Sequence, residues 1–353
     1  MAPSVVFVQT SSPQTTMQRV PKSTLKNKAA RNIDFGKNEG SIDSLEKYFF
    51  DSGIVDKLGN DKRTLIIGRK GTGKTAIASH LSTRAIFSYN NFTNVMSFRD
   101  VPVNLLESFS DENFSASGKF VSAWKLILLI ELSKQIVKNE TIAPDSEQKL
   151  RAIIECVAPT LESSPLDYLE KTRENNFRID MKVAQFGESE HSRTEKVDLT
   201  SYVSALQRQV ISTVTLSDSY TIILDELDDS YSLSTEYLNL VTAIFKSVAD
   251  LNRLFFKERT QLCVIVALRD DIYDSIEYSD KNKWDDSAIR LDWIPKPGIK
   301  SRDTDLFKMI NLRIGASYLE EPDIGINYWE HACLLYTSPS PRDQRGSRMP
   351  SSA

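Results

Sequence analysis

One octet, Gly68-Arg69-Lys70-Gly71-Thr72-Gly73-Lys74-Thr75, constrains the fold of this 353-residue chain more than any other stretch. Thr64-Leu65-Ile66-Ile67 precedes it, short, apolar and β-branched, and reads as a buried parallel strand. Ala76-Ile77-Ala78-Ser79-His80-Leu81 follows and reads as a helix. A glycine-rich turn of this pattern between strand and helix reads as a phosphate cradle. Gly68, Gly71 and Gly73 accept backbone angles that a Cβ disfavours, so amide N–H groups can close around an anion. The helix N-terminus adds unpaired donors and the positive end of its dipole. Lys74 is expected to reach the β- and γ-phosphates, and Thr75 to give a hydroxyl ligand to Mg²⁺. Gly68 to Ala76 are therefore the candidate nucleotide-binding residues. Within them the long side chains of Arg69 and Lys70 are expected to point to solvent.

A metal held at such a loop needs a second support. Tyr220-Thr221-Ile222-Ile223-Leu224-Asp225-Glu226 reads as a buried strand with acids at its C-terminal end, where open parallel sheets bind ligands. Asp225 is the candidate Mg²⁺ ligand. Glu226 is the candidate base that polarises an attacking water. An Asp-Glu pair here separates water-activating ATPases from most small-molecule kinases. Asp228 and Asp229 continue the acidity and are expected on the loop surface.

The remaining pattern alternates. Asn94 to Phe98 reads as a strand, and Phe120 to Lys138 as a helix with Val121, Trp124, Leu128 and Leu132 on one face. Leu150 to Val157 and Leu166 to Arg173 look helical, Phe177, Ile179, Met181 and Val183 alternate as in a strand, and Ser201 to Val214 reads as a helix. Ser234 or Thr235 can cap a long helix with the stripe Leu238, Val241, Phe245, Val248, Leu251 and Phe255. Leu262 to Leu268 is the strongest buried strand, and Ile289 to Trp293 a further one. This alternation implies an α/β fold, a three-layer sandwich with a mostly parallel sheet and helices on both faces. Arg269 ends the strand after the acidic one, where it either senses a γ-phosphate as a catalytic residue or pairs with Asp270 or Asp274. Arg313, on a helix from Asp305 to Ile314, reads as part of a solvated helix face or, alternatively, as a second sensor or a finger in trans.

Composition narrows the classes. The net charge of −4 gives no global pull toward nucleic acid or anionic membrane. Cys156, Cys263 and Cys333 are scattered and form no CxxC pair, as are His80, His191 and His331. The cysteines read as reduced thiols in a cytoplasmic protein, and no His/Cys metal cluster is expected. No apolar run approaches the roughly 20 residues that span a bilayer. Residues 1–32 are Ser/Thr/Pro/Gln-rich and basic, and read as a disordered leader. Residues 33–300 are expected to form the nucleotide-binding domain, with a helical insertion near 140–200, and 301–333 to begin a C-terminal helical region. Residues 334–353 resemble translated sequencing-adapter read-through and are expected to be a non-native tail, the natural chain continuing with a further region in their place.

The text Leu65 to Ile77, together with Leu268-Arg269-Asp270-Asp271-Ile272, resembles a group of bacterial P-loop ATPases in the additional-strand division that includes AAA+ and STAND NTPases. Some of these lie in defence-like gene neighbourhoods. The resemblance covers roughly Asp34 to Ile314. It implies the P-loop NTPase fold, an extra strand between the loop strand and the acidic strand, ATP and Mg²⁺ as cofactors, and hydrolysis that drives a switch in a partner protein or C-terminal effector. The chain departs from full AAA+ in lacking a recognisable arginine finger and small helical lid. No guanine-reading motif follows the acidic strand. A P-loop phosphotransferase, and a nucleotide-gated scaffold or nucleic-acid binder with little turnover, remain alternatives.

Overall fold

The structure, a computed structural model, describes residues 49–60, 63–86, 88–98, 101, 106, 120–175, 178–183, 193–227, 234–277, 281–294, 297–298, 300–318 and 327–329. The expected leader and the tail after 333 lie outside these residues, as do Asp228, Asp229 and Phe177. The chain divides into two compact units, Asp51–Asp292 and a second that joins Met1–Phe50 to Trp293–Ala353. The sequence boundaries of 33 and 300 enclose the first.

In chain order the first unit runs α1 (Ile54–Asn60), β1 (Leu65–Gly68), α2 (Lys74–Ile86), β2 (Asn91–Ser97), α3 (Val121–Val137), α4 (Pro144–Ile154), α5 (Pro165–Glu174), β3 (Arg178–Val183), β4 (Arg193–Asp198), α6 (Leu199–Thr213), β5 (Ser219–Asp225), α7 (Thr235–Lys257), β6 (Leu262–Leu268), α8 (Asp270–Ser275), α9 (Lys281–Asp286) and β7 (Ala288–Leu291). Five strands form one sheet in the order β2-β5-β6-β1-β7, and every pairing is parallel. β6 lies between the loop strand β1 and the acidic strand β5.

Side chains alternate across a strand, so each strand serves two layers. Tyr220, Ile222 and Leu224 of β5 and Val264, Val266 and Leu268 of β6 join one core with α3 and α7. Ile66, Ile223, Ile265 and Ala267 are also buried and turn to the other face, on which α2 packs. Helices thus flank the parallel sheet on both sides, as the sequence alternation predicts. Trp124 is fully buried in the larger core, stacked near Phe98 with ring centroids 5.9 Å apart.

Local chemistry sets the helix starts. Ser234, not Thr235, caps α7, its hydroxyl accepting from the Tyr237 amide. Asp198 caps α6 through the Ser201 amide, and Ser164 forms a capping box with Asp167 at α5. The region near 140–200 corrects the sequence reading of a helical insertion. Besides α4 and α5 it holds an antiparallel hairpin, β3 with β4, registered from Arg178↔Asp198 to Val183↔Arg193. The hairpin packs on α6 and α4 and stays outside the main sheet. β7 ends at Leu291, short of the expected Trp293.

The second unit carries a 3₁₀ turn at Ser301–Asp303 and α10 (Asp305–Tyr318), one turn longer than expected. Within it the Asn311 carboxamide accepts from the Trp329 amide at 2.9 Å, and Phe307 packs beside Trp329. No described helix is long and apolar enough to cross a membrane.

Candidate functional site

The loop from Gly68 to Thr75 leaves the C-terminal end of β1 and enters α2. Its glycines are required for distinct reasons. A Cβ on Gly68 would stand 2.6 Å from Thr72 Oγ1 and 2.9 Å from Leu291 Cβ, so close packing forbids it. Gly71 and Gly73 have φ of +84° and +96°, the left-handed region that residues with a Cβ avoid. Thr72 is buried and braces the turn, its hydroxyl donating to the Arg69 carbonyl at 2.8 Å. The Ile77 amide bonds to Gly73 O at 3.0 Å, while helix geometry supplies no intrahelical acceptor to the amides of Thr75 and Ala76.

Lys74 is 8% exposed, and its ammonium donates to the carbonyls of Gly68 (2.9 Å) and Arg69 (3.0 Å). The loop is thereby folded over its own cation. Arg69 and Lys70 are exposed, as expected, and the Arg69 guanidinium reaches Asp270 at 3.4 Å, tying the loop to the start of α8.

Asp225 ends β5 in register with Ser97 of β2. It is 3% exposed. Burial raises its pKa above the usual carboxylate range, opposed by a hydrogen bond from the Thr75 hydroxyl, one from the Glu226 amide and the charge of Lys74, while the Glu226 charge adds to the rise. Two elements far apart in sequence therefore meet here. Oδ2 of Asp225 is fully buried and has no hydrogen-bond partner among the described residues. A buried carboxylate oxygen without a partner among the described residues, beside a threonine hydroxyl, offers hard oxygen donors of the kind that would suit a cation such as Mg²⁺.

Glu226 follows with φ of +61°, a conformation that costs a non-glycine residue about 1–2 kcal/mol. That turn lifts its side chain off the strand direction, and Ser97 Oγ donates to its Oε2 at 2.6 Å. The Tyr237 hydroxyl donates to the next carbonyl, that of Leu227, and anchors the turn. Sequence reasoning missed Ser97. Its signal was a polar residue closing the strand that turned out to neighbour β5.

Arg269 follows Leu268, which is in register with Ile67, so it sits near the end of β1. Its guanidinium is held in a two-point pair by Asp271, with Nε to Oδ1 at 2.9 Å. Neither expected partner, Asp270 nor Asp274, makes that pair. Asp271 is in turn held below its ordinary pKa, chiefly by the Arg269 hydrogen bonds. Arg313 lies half-buried on α10, in the second unit. Cys156 and Cys263 carry no disulfide. No cluster of three or more His, Cys, Asp or Glu side chains suited to a metal is present among the described residues.

The fold and site define an α/β protein with a five-stranded parallel sheet and a glycine-rich loop facing a buried acid at the sheet's C-terminal rim. Among curated proteins the chain is similar to a transposon gamma-delta protein of 80.3 kDa from Escherichia coli (strain K12), 23% identical over 253 residues. The alignment covers 67% of this chain and 33% of that protein, so the chain spans about a third of the relative's length. No protein-family model and no solved structure matches the chain.

Proposed function

We propose that this chain is an ATP-binding, Mg²⁺-dependent ATPase of the additional-strand P-loop division, with hydrolysis driving a conformational switch in attached or partner regions. The observation that carries the reading is the orphaned Asp225 oxygen beside Thr75 and Lys74 at the rim of the sheet. A buried carboxylate with one unsatisfied oxygen costs stability, on the order of 1–3 kcal/mol, unless a ligand repays it. The position of β6 between β1 and β5 supports assignment to that division.

The roles follow from the chemistry of each group. The amides of the Gly68–Thr75 loop bind phosphate oxygens. Lys74 exchanges its bonds to Gly68 and Arg69 for the β- and γ-phosphates, so triphosphate entry opens a loop that is closed on itself. Thr75 and Asp225 would hold Mg²⁺, which when bound supplies charge neutralisation to the transferring phosphoryl group. Glu226 accepts a proton from the attacking water, and the Ser97 hydroxyl fixes which way its carboxylate faces. Arg269, paired with Asp271, would report on the γ-phosphate only once that pair opens.

Thermal unfolding with and without Mg-ATP tests the binding half of this reading. Ligand at 100 times its Kd is expected to stabilise the protein by about 2.7 kcal/mol. A melting temperature of the unsubstituted chain indifferent to Mg-ATP would refute it.

A further inference from the structure

At the opposite rim, where the strands begin, a cavity of about 1150 Å³ opens in the first unit. Half-buried Thr93, Thr221 and Cys263 form part of its floor, and the ends of α2 and α7 rise beside them. This exceeds the range of about 300–1,000 Å³ usual for small-ligand pockets. Among the described residues its ionic lining is mostly basic, with Arg84, Lys246, Arg253 and Lys283 beside one acid, Asp250, which also bridges Lys125 at 2.8 Å. Arg84, Arg253 and Lys283 are exposed. This concentration of positive charge runs against the acidic balance of the whole chain.

The aromatic complement lies on the turn before β2 and on the last turn of α7. The Ser219 amide donates to Asn90 O at 2.8 Å and the Tyr220 amide to Gln261 O at 3.0 Å, stitching together the entries to β2, β5 and β6. On or beside those entries stand Tyr89 at 95%, Leu216 at 75% and Phe256 at 63% exposure, three of the four most exposed large apolar side chains among the described residues. Phe256 also lines the cavity.

Four cations spread over three helices suit a repeating chain of phosphates better than one small anion. Exposed rings beside such cations suit bases whose faces are open, and a duplex hides those faces. We infer that this rim is a docking groove for single-stranded nucleic acid, with phosphates on Arg84, Lys246, Arg253 and Lys283 and bases on Tyr89 and Phe256. The inference is independent of the nucleotide-site reading, because no residue is shared.

Fluorescence anisotropy with a labelled oligothymidylate of roughly 20 nucleotides and the full chain tests it. Binding is expected at low salt and is expected to weaken as salt rises. Replacing Arg253 and Lys283 by Ala together is expected to weaken it at least about tenfold and to reduce the log–log salt slope by about 1.4. Phe256→Ala is expected to weaken binding about 5-fold or more with the slope unchanged. The Lys74→Ala chain is expected to bind the oligonucleotide as the natural sequence does. These side chains at the groove are exposed, and unchanged melting temperatures confirm the fold; if Phe256→Ala unfolds, the Arg253/Lys283 variant carries the test. No binding at low salt, binding indifferent to these substitutions, or equal affinity for a duplex of the same length overturns the inference. Competition by polyglutamate at matched charge also overturns it, in favour of an acidic protein partner.

Discussion

At the rim where the parallel strands end, charge is buried. Lys74 and Asp225 are both under a tenth exposed, one Asp225 oxygen is unsatisfied, and Glu226 sits in a left-handed turn. At the rim where the strands begin, the arrangement reverses. Tyr89, Phe256, Arg84, Arg253 and Lys283 are exposed, and backbone hydrogen bonds join the entries to β2, β5 and β6. There, Asn252 reaches across from α7, its carboxamide donating to Val264 O at 2.8 Å and accepting from Val264 N at 2.9 Å, just below the start of β1. The contrast teaches where the fold tolerates cost. Buried unsatisfied charge opposes folding and fits a small, highly charged ligand that restores what is missing. Exposed rings cost little stability and fit a large partner that covers them.

The largest effect that can break this contrast is expected at Lys74. Truncating one partner of a buried charge pair costs about 2–5 kcal/mol, so Lys74→Ala is expected to weaken ATP binding by roughly 30-fold to several thousandfold, measured by calorimetry. Retained affinity would mean that the ammonium does not reach phosphate. At the other rim, Asn252→Ala leaves the Val264 amide and carbonyl without their partner. A loss of about 2 kcal/mol is expected in denaturant unfolding, with ATP turnover per folded molecule unchanged. A silent Asn252 variant would show that water replaces it.

A smaller effect of opposite sign is expected at Asp225. Its folded pKa lies above the unfolded value of about 3.9, so ionisation opposes folding. Its contribution to stability is full below the unfolded value and is lost as pH rises through the raised folded one. Asp225→Asn is therefore expected to stabilise the ligand-free protein near neutral pH by about 1 kcal/mol, or roughly 2–4 °C in Tm, while Mg²⁺ dependence disappears. The advantage of the Asn variant is expected to shrink as pH falls towards 4. An Asn variant less stable than the natural sequence at every pH would remove the account of strained charge.

The two rims were unequally legible in the sequence. The loop and the acidic strand are local patterns, each carrying its chemistry within eight residues, so Lys74, Thr75, Asp225 and Glu226 could be named from spacing alone. Their meeting required the parallel order of β1, β6 and β5, which strand–helix alternation implies without fixing neighbours. Ser97 lies 129 residues from Glu226, and nothing local links them. β4 escaped because Arg193-Thr194-Glu195-Lys196-Val197-Asp198 has almost no apolar residue to alternate. The starting rim was invisible because Tyr89 and Leu216 belong to two separate connections and Phe256 to the last turn of α7, and only the sheet order gathers them.

Phosphate release from ATP by the natural sequence and its Glu226→Gln variant, with Mg²⁺ present, tests the central claim most directly. Steady release by the unsubstituted chain and a loss of about 10²–10⁴-fold in the variant are expected, with ATP affinity retained. Equal release by both proteins would contradict it, as would no release by either while ATP is bound.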